Sequence, residues 1–358
     1  MKNPPNGGRA GLIASVGTAL FFCGVFSIEG TRAYAQNVPT YIAIPLALLL
    51  SLAPVLLAAR AMKRAGARNL GQLMRFSFCR VFCFAASLSL AAGALFAAAN
   101  PLADCARVLH KLVYDGAAYR SILAFVFVPL AVLCVKGLAC ITRTGLIMAA
   151  PLAASVAAAL LTAVPGYDTA RLFPLPGCEI IDAASFTASY SFAFLPVLIL
   201  SLVFPQKPGT HSKTAVKAAL FALPFITLSL LAVRLSYPAA MLGGISMPLY
   251  RMGLVRPGPG FLLRLDKLLI MLWLAGSIIS AALLLRCAGE LLSDALGVRK
   301  GLTAFMLALI CIMSVLAEAH GAERTAVIRS YLFIYGALLT LVPTAAASLA
   351  ALFKRRMA

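Results

Sequence analysis

The stretch that decides the fold starts at Tyr237-Pro238, crosses Gly243, Gly244, Pro248, Tyr250 and Arg251, and turns at Arg256-Pro257-Gly258-Pro259-Gly260. It then reads Phe261-Leu262-Leu263-Arg264-Leu265-Asp266-Lys267, and from Leu268 to Leu285 no charge interrupts a hydrophobic run holding Trp273, the one tryptophan of the chain. With flanking residues this run reaches the ~20 residues of a membrane helix. An ionisable side chain at the centre of such a helix costs about 2.5 to 3.5 kcal/mol, and less towards its ends. At ~100° per residue Ile270, Trp273, Ser277 and Ser280 share the side of Asp266, while Arg264 points the other way. Two readings stay open: Arg264 and Asp266 have partners on other helices, or they mark a helix end at the headgroups, with Arg264 and Lys267 snorkelling.

The rest of the chain repeats this pattern. Of 358 residues, 62% are hydrophobic and 12% charged, with a mean hydropathy of +0.96. Soluble domains carry about 25% charged residues, so the composition predicts an integral membrane protein. The first apolar run is followed by Glu29 and Arg32 instead of a small-residue cleavage site, so it is expected to remain as a helix. The net charge of +20 would suggest nucleic acid in a soluble chain; here the excess sits in short loops and bears on membrane orientation, and no nucleic-acid partner is expected.

Ten apolar runs recur: Ala10 to Ile28, Val38 to Ala59, Val81 to Ala103, Ser121 to Val135, Thr144 to Tyr167, Ala183 to Gln206, Ala218 to Val233, Leu268 to Leu285, Gly301 to Ala317 and Ser330 to Phe353. Ten spans place both termini on one side. The loops on that side carry Lys and Arg with Asp294 as their one acid, whereas the opposite loops mix basic residues with Glu29, Asp104, Asp115, Asp168, Glu179, Asp182 and Glu323. Both termini are therefore expected inside.

Two spans carry signs of interruption. The first holds Gly17 and Gly24 with Glu29 beyond them; glycine eases local unwinding that exposes backbone groups to a small ligand, and it equally serves close helix packing. The sixth begins with Ser185, Thr187, Ser189, Tyr190 and Ser191 and ends between Pro196 and Pro205, so hydroxyls crowd its outer half. The segment Leu102 to Tyr119 is amphipathic and predicts a helix lying on the outer surface.

Chemistry that would mark an enzyme is missing: no Walker motif, dinucleotide fingerprint, nucleophile elbow or HExxH occurs. Cys79 and Cys83 stand one helical turn apart without a histidine or second cysteine pair, so they read as small core residues. His110, His211 and His320 are far apart, and His211 lies in an apparent connector, Pro205-Gln206-Lys207-Pro208-Gly209-Thr210-His211-Ser212-Lys213. No metal and no cofactor is expected.

Tyr237-Pro238, Arg264, Asp266 and Trp273 together resemble the eighth membrane helix of the spore germination permease family, the GerAB-type B subunits of germinant receptors. Lys136-Gly137-Leu138-Ala139-Cys140-Ile141-Thr142-Arg143, Leu172-Phe173-Pro174-Leu175-Pro176-Gly177 and Tyr34-Ala35-Gln36-Asn37 are similar to further short motifs of that family. Leu263 stands where the family often has Glu, and Tyr34 to Asn37 lacks the family's Gly.

The resemblance implies an all-α membrane fold of the amino acid, polyamine and organocation transporter superfamily. Ten helices would form a LeuT-like 5+5 inverted repeat, repeat one covering about residues 10–167 and repeat two about 183–353. It implies a germinant-receptor subunit of the spore inner membrane, or cell membrane of a spore former, that binds a small nutrient such as an amino acid. Its partners would be the receptor's A subunit and its lipoprotein C subunit. The site residues so implied are Phe22 and Gly24 in the first helix, Ser189, Tyr190 and Ser191 in the sixth, and Trp273 in the eighth, with Arg264 and Asp266 as a coupling or ion-pair element. Two other functions fit the same polar path: a secondary transporter of an amino acid or cation, and a protein that conducts water or ions.

Overall fold

In a computed structural model, the structure describes residues 7–26, 38–110, 118–172, 180–242, 248–254, 265–319 and 322–353. Among these, ten helices are long and apolar enough to cross a membrane. They are α1 (Gly7–Phe26), α2 (Thr40–Ala65), α4 (Arg80–Val108), α5 (Tyr119–Lys136), α6 (Leu138–Ala163), α7 (Ile180–Ser201), α8 (His211–Ser236), α11 (Leu265–Leu296), α12 (Lys300–Ala319) and α13 (Ala322–Phe353). The short helices α3 (Leu70–Ser77), α9 (Ala239–Leu242) and α10 (Pro248–Leu254) sit in the connectors. In lipid every backbone polar group needs an internal partner, which is why such long apolar runs become helices.

The centre of the bundle is set by burial. Inside the spanning windows, 83% of α11 and 78% of α1 are buried, against 28% to 56% elsewhere, so these two have protein on nearly every side. The packing also has a regular plan. α1 packs on α6 and α8 as α7 packs on α13 and α2; α11 packs on α6 as α4 packs on α13; α4–α11, α5–α12 and α2–α8 pair with each other. Exchanging each span for the one five places on carries these contacts into one another.

Small residues make the approach close. A side chain at Gly24 would meet Ile226 and Phe194, and one at Gly17 would meet Phe221. α1 runs unbroken through both glycines to Phe26, so in residues 7–26 they serve contact with α7 and α8 in place of the expected unwinding; small residues at a membrane helix interface let backbones approach. α7 is likewise continuous through Pro196.

Three further expectations change. α4 continues past Ala103 to Val108 with a π turn behind it, and Leu102 to Ala106 are buried; up to residue 110 this is the end of a spanning helix, not a helix on the outer surface. α8 begins at His211, which is buried and places Nε2 3.1 Å from the Arg68 carbonyl, so His211 is no connector residue. α5 and α6 are joined by Gly137 alone, at φ 98 and ψ 179, a conformation essentially restricted to glycine.

Candidate functional site

The last four carbonyls of a helix lack intrahelical donors. At the end of α1 this need is met by Tyr190 of α7, whose hydroxyl donates to the carbonyls of Cys23 (3.2 Å) and Gly24 (3.5 Å). The ring is held between Phe186 and Phe194, with centroids 5.4 and 5.9 Å away, and Phe194 borders Gly24. Tyr190 is thus both apolar filler and polar clasp between two spans.

On its other side α1 meets α11. Phe22, fully buried, lies over Gly276 so closely that a side chain there would overlap its ring. Trp273, 2% exposed, is one turn earlier on α11. On the same face Ser277 Oγ is 2.9 Å from Cys105 Sγ of α4, and Ser280 donates to the Gly276 carbonyl. Ile270, Trp273, Ser277 and Ser280 are all buried, as are most residues on the other sides of this span. Elements α1, α4, α7 and α11 therefore converge on one closed, aromatic-filled centre.

Not every expected residue reaches it. Ser191 is buried but donates back to the Ala188 carbonyl, and Ser189 is exposed. Hydroxyls that bond their own helix in this way are common, and they commit their one proton locally. Arg264 lies outside the described residues; Asp266 falls in the first turn of α11 with its side chain outside them. Tyr237, just past α8, has a buried hydroxyl without a partner among the described residues, and burial pushes its phenol above the usual range while Arg251 pulls it partly back.

One polar group departs from its sequence-based placement, and one expected i,i+4 pair, Arg286 with Glu290, is present at 3.3 Å. Asp104 was assigned to an outer loop, yet it is 3% exposed on α4, 3.5 Å from Arg107 and next to Cys105. The signal was present in Leu102-Ala103-Asp104-Cys105-Ala106, where apolar residues flank the acid on both sides. At the other end of α11, Arg286 donates to the Cys134 carbonyl (2.9 Å), contacts Glu290 (3.3 Å) and lies against Gly137. One to two turns on, Asp294 joins Lys300 (3.5 Å), and its carbonyl accepts from Arg75 (2.7 Å). This cluster ties α3, α5, α11 and α12 together at the end of the bundle away from Tyr190.

A cavity of about 30 Å³ opens between α1, α6 and α8, bordered by Gly17, Thr18, Phe22, Leu152, Phe221 and Phe225. Its lining residues Phe22 and Leu152 are also the side chains that pack on Gly276 of α11. No group of three or more His, Cys, Asp or Glu side chains that could hold a metal ion occurs among the described residues.

Comparison with known proteins agrees with this architecture. A family model described as spore germination protein matches residues 15–322. Among solved structures, a Na+-coupled sialic acid symporter in a substrate-bound outward-open state is similar with a TM-score of 0.61 at 12% identity, over 92% of this chain and 77% of that one. A manganese transporter of Eremococcus coleocola gives a TM-score of 0.49 at 14% identity, over 98% and 79% respectively. No curated protein matches. The fold is that of LeuT-type transporters.

Proposed function

The chain belongs to the spore germination protein family, and from that premise we propose that it is the membrane subunit of a germinant receptor, binding a small nutrient of the amino acid class where α1, α4, α7 and α11 meet. The observation that carries the reading is the Tyr190 clasp on the Cys23 and Gly24 carbonyls, set beside the Phe22–Gly276 contact. Together they join α1, α7 and α11 at one point through polar and aromatic contacts. A ligand acts only by preferring one arrangement over another, and a bundle gripped at its centre has such arrangements to choose between.

In this reading Phe22, Gly24, Tyr190 and Trp273 surround the nutrient, Ser189 and Ser191 contribute when α7 turns, and Arg264 with Asp266 couples the site to the connectors. The two five-helix units, about residues 10–167 and 183–353, move against each other with both termini inside. The change passes to an A subunit and a lipoprotein C subunit in the spore inner membrane. The exchange of packing partners between spans five apart supports the division.

The test is Asp266→Asn in spores. Membrane insertion and protein level stay at wild type while nutrient-triggered germination is abolished; a normal germination response removes Asp266 from the coupling. Uptake of radiolabelled amino acid into liposomes holding only this chain separates the sensor from a carrier, since a sensor binds without accumulating label.

A further inference from the structure

One corner of the bundle carries a charge that its own residues do not balance. The end of α2 and the turn after it expose Arg60, Lys63, Arg64 and Arg68; the α7–α8 connector and the first turns of α8 expose Lys207, Lys213 and Lys217. These two groups form one surface. The stem of Lys63 lies over Gly209, the Arg68 carbonyl accepts from the Gln206 amide at 3.0 Å and meets His211 Nε2 at 3.1 Å, and the Leu70 amide donates to Leu202 at 3.0 Å. No Asp or Glu occurs between Glu29 and Asp104 or between Asp182 and Asp266, so neither connector carries an acid, and Asp294 of α11, which reaches Gly71 at the start of α3, is engaged by Arg75 and Lys300. Like charges held this close repel, and the arrangement calls for an anion from outside.

What lies next to the cations identifies that anion. Along α2 the exposed positions Leu46, Leu50, Ala53, Leu57, Arg60 and Arg64 follow one another at three and four residues, forming one stripe that changes from apolar to cationic. Along α8 the stripe Lys213, Lys217, Leu220, Pro224 and Leu228 does the same in the opposite sense. The two helices pack side by side. The first turn of α8 also presents backbone amides beside these lysines, without a side-chain cap at Thr210, which favours negative charge. A cationic head above two apolar stripes matches an amphiphile with an anionic head. The stripes face the lipid of the bilayer, so an amphiphile uses both them and the cations, whereas an acidic protein segment would use the cations alone.

We propose that this corner is a binding site for an anionic phospholipid, its phosphate held by Lys63, Arg64, Lys213 and Lys217 and its acyl chains lying along α2 and α8. Bound there, the lipid bridges the α2–α3 and α7–α8 connectors and offsets the repulsion between them.

The experiment uses the full chain in nanodiscs of mixed phosphatidylglycerol and phosphatidylcholine, followed by detergent extraction and native mass spectrometry of the retained lipid. Wild type retains phosphatidylglycerol above its bulk fraction, and each lysine lost from Lys63, Lys213 and Lys217 by change to Gln lowers the enrichment about fivefold, as ~1 kcal/mol per basic residue gives. The triple Lys→Arg variant keeps it, which separates charge from folding. A control triple, Arg80→Gln with Lys136→Gln and Arg143→Gln, removes exposed cations elsewhere at the same end and leaves the enrichment intact. Equal retention by the Lys→Gln triple, or equal loss in the control, overturns the site. If poly-glutamate binds the chain in pure phosphatidylcholine discs with the same lysine dependence and displaces no lipid, the occupant is an acidic protein segment and the lipid assignment falls.

Discussion

Replacing Tyr190 by Phe removes one hydroxyl and leaves the ring between Phe186 and Phe194. What is lost is the bond to the Cys23 and Gly24 carbonyls at 3.2 and 3.5 Å. A neutral buried hydrogen bond contributes about 0.5 to 1.5 kcal/mol net, and interhelical ones between membrane helices average about 0.6 kcal/mol. Phe22, Tyr190 and Trp273, none more than 4% exposed, fill the space where α1, α7 and α11 meet, so a nutrient seated there needs them to part. Tyr190→Phe therefore weakens the closed arrangement relative to the open one. With a tenfold change in population per 1.4 kcal/mol, the half-maximal nutrient concentration falls by about two- to twelve-fold. The assay is a germination dose–response in spores carrying the variant at matched protein level, beside a thermal melt of the purified chain. An unchanged or higher half-maximal concentration refutes the clasp as part of the switch, and a lower melting temperature with no shift in dose reduces Tyr190 to a structural role.

Two further outcomes follow from buried contacts. Arg286→Met leaves the partly buried Glu290 carboxylate with Lys300 as its remaining cation and frees the Cys134 carbonyl, so the melt falls by the equivalent of about 1 to 3 kcal/mol, whereas Arg286→Met with Glu290→Leu recovers most of it; equal losses in single and double variants would show that the pair is not coupled. Gly276→Ala drives a methyl group into the Phe22 ring and destabilises the α1–α11 contact by about 1 to 3 kcal/mol, and Phe22→Leu in the same chain restores the melting temperature; failure of that rescue would place the strain elsewhere.

The ten spans were legible because lipid leaves a chain few ways to satisfy its backbone, and apolar length alone reports the solution. That Ile270, Trp273, Ser277 and Ser280 share one side of α11 is legible from helical periodicity alone, whereas the burial of α11 on nearly every side depends on its neighbours. Function of the glycines was not: Gly17 and Gly24 suit both unwinding and close packing, and only the positions of Phe221, Ile226 and Phe194 on α8 and α7 decide. Asp104 was lost because an acid near a helix end reads as solvated until the facing helix is placed. The helix α3 was overlooked although Asn69 and Gln72 carry a cap: the Asn69 side chain accepts from the Gln72 amide, and the Gln72 side chain accepts from the Arg68 amide. Of the three hydroxyl residues chosen on α7, sequence gave no reason to single out Tyr190, the one long enough to leave its own helix.

The single glycine between α5 and α6 has a mechanical result. Two rods hinged through one residue cannot slide lengthwise past each other; they can only change the angle between them. Arg286 grips the neighbouring Cys134 carbonyl and rests on that hinge, so a tilt of α11 works the elbow directly, and the far ends of α5 and α6, many turns away, sweep through the largest arc.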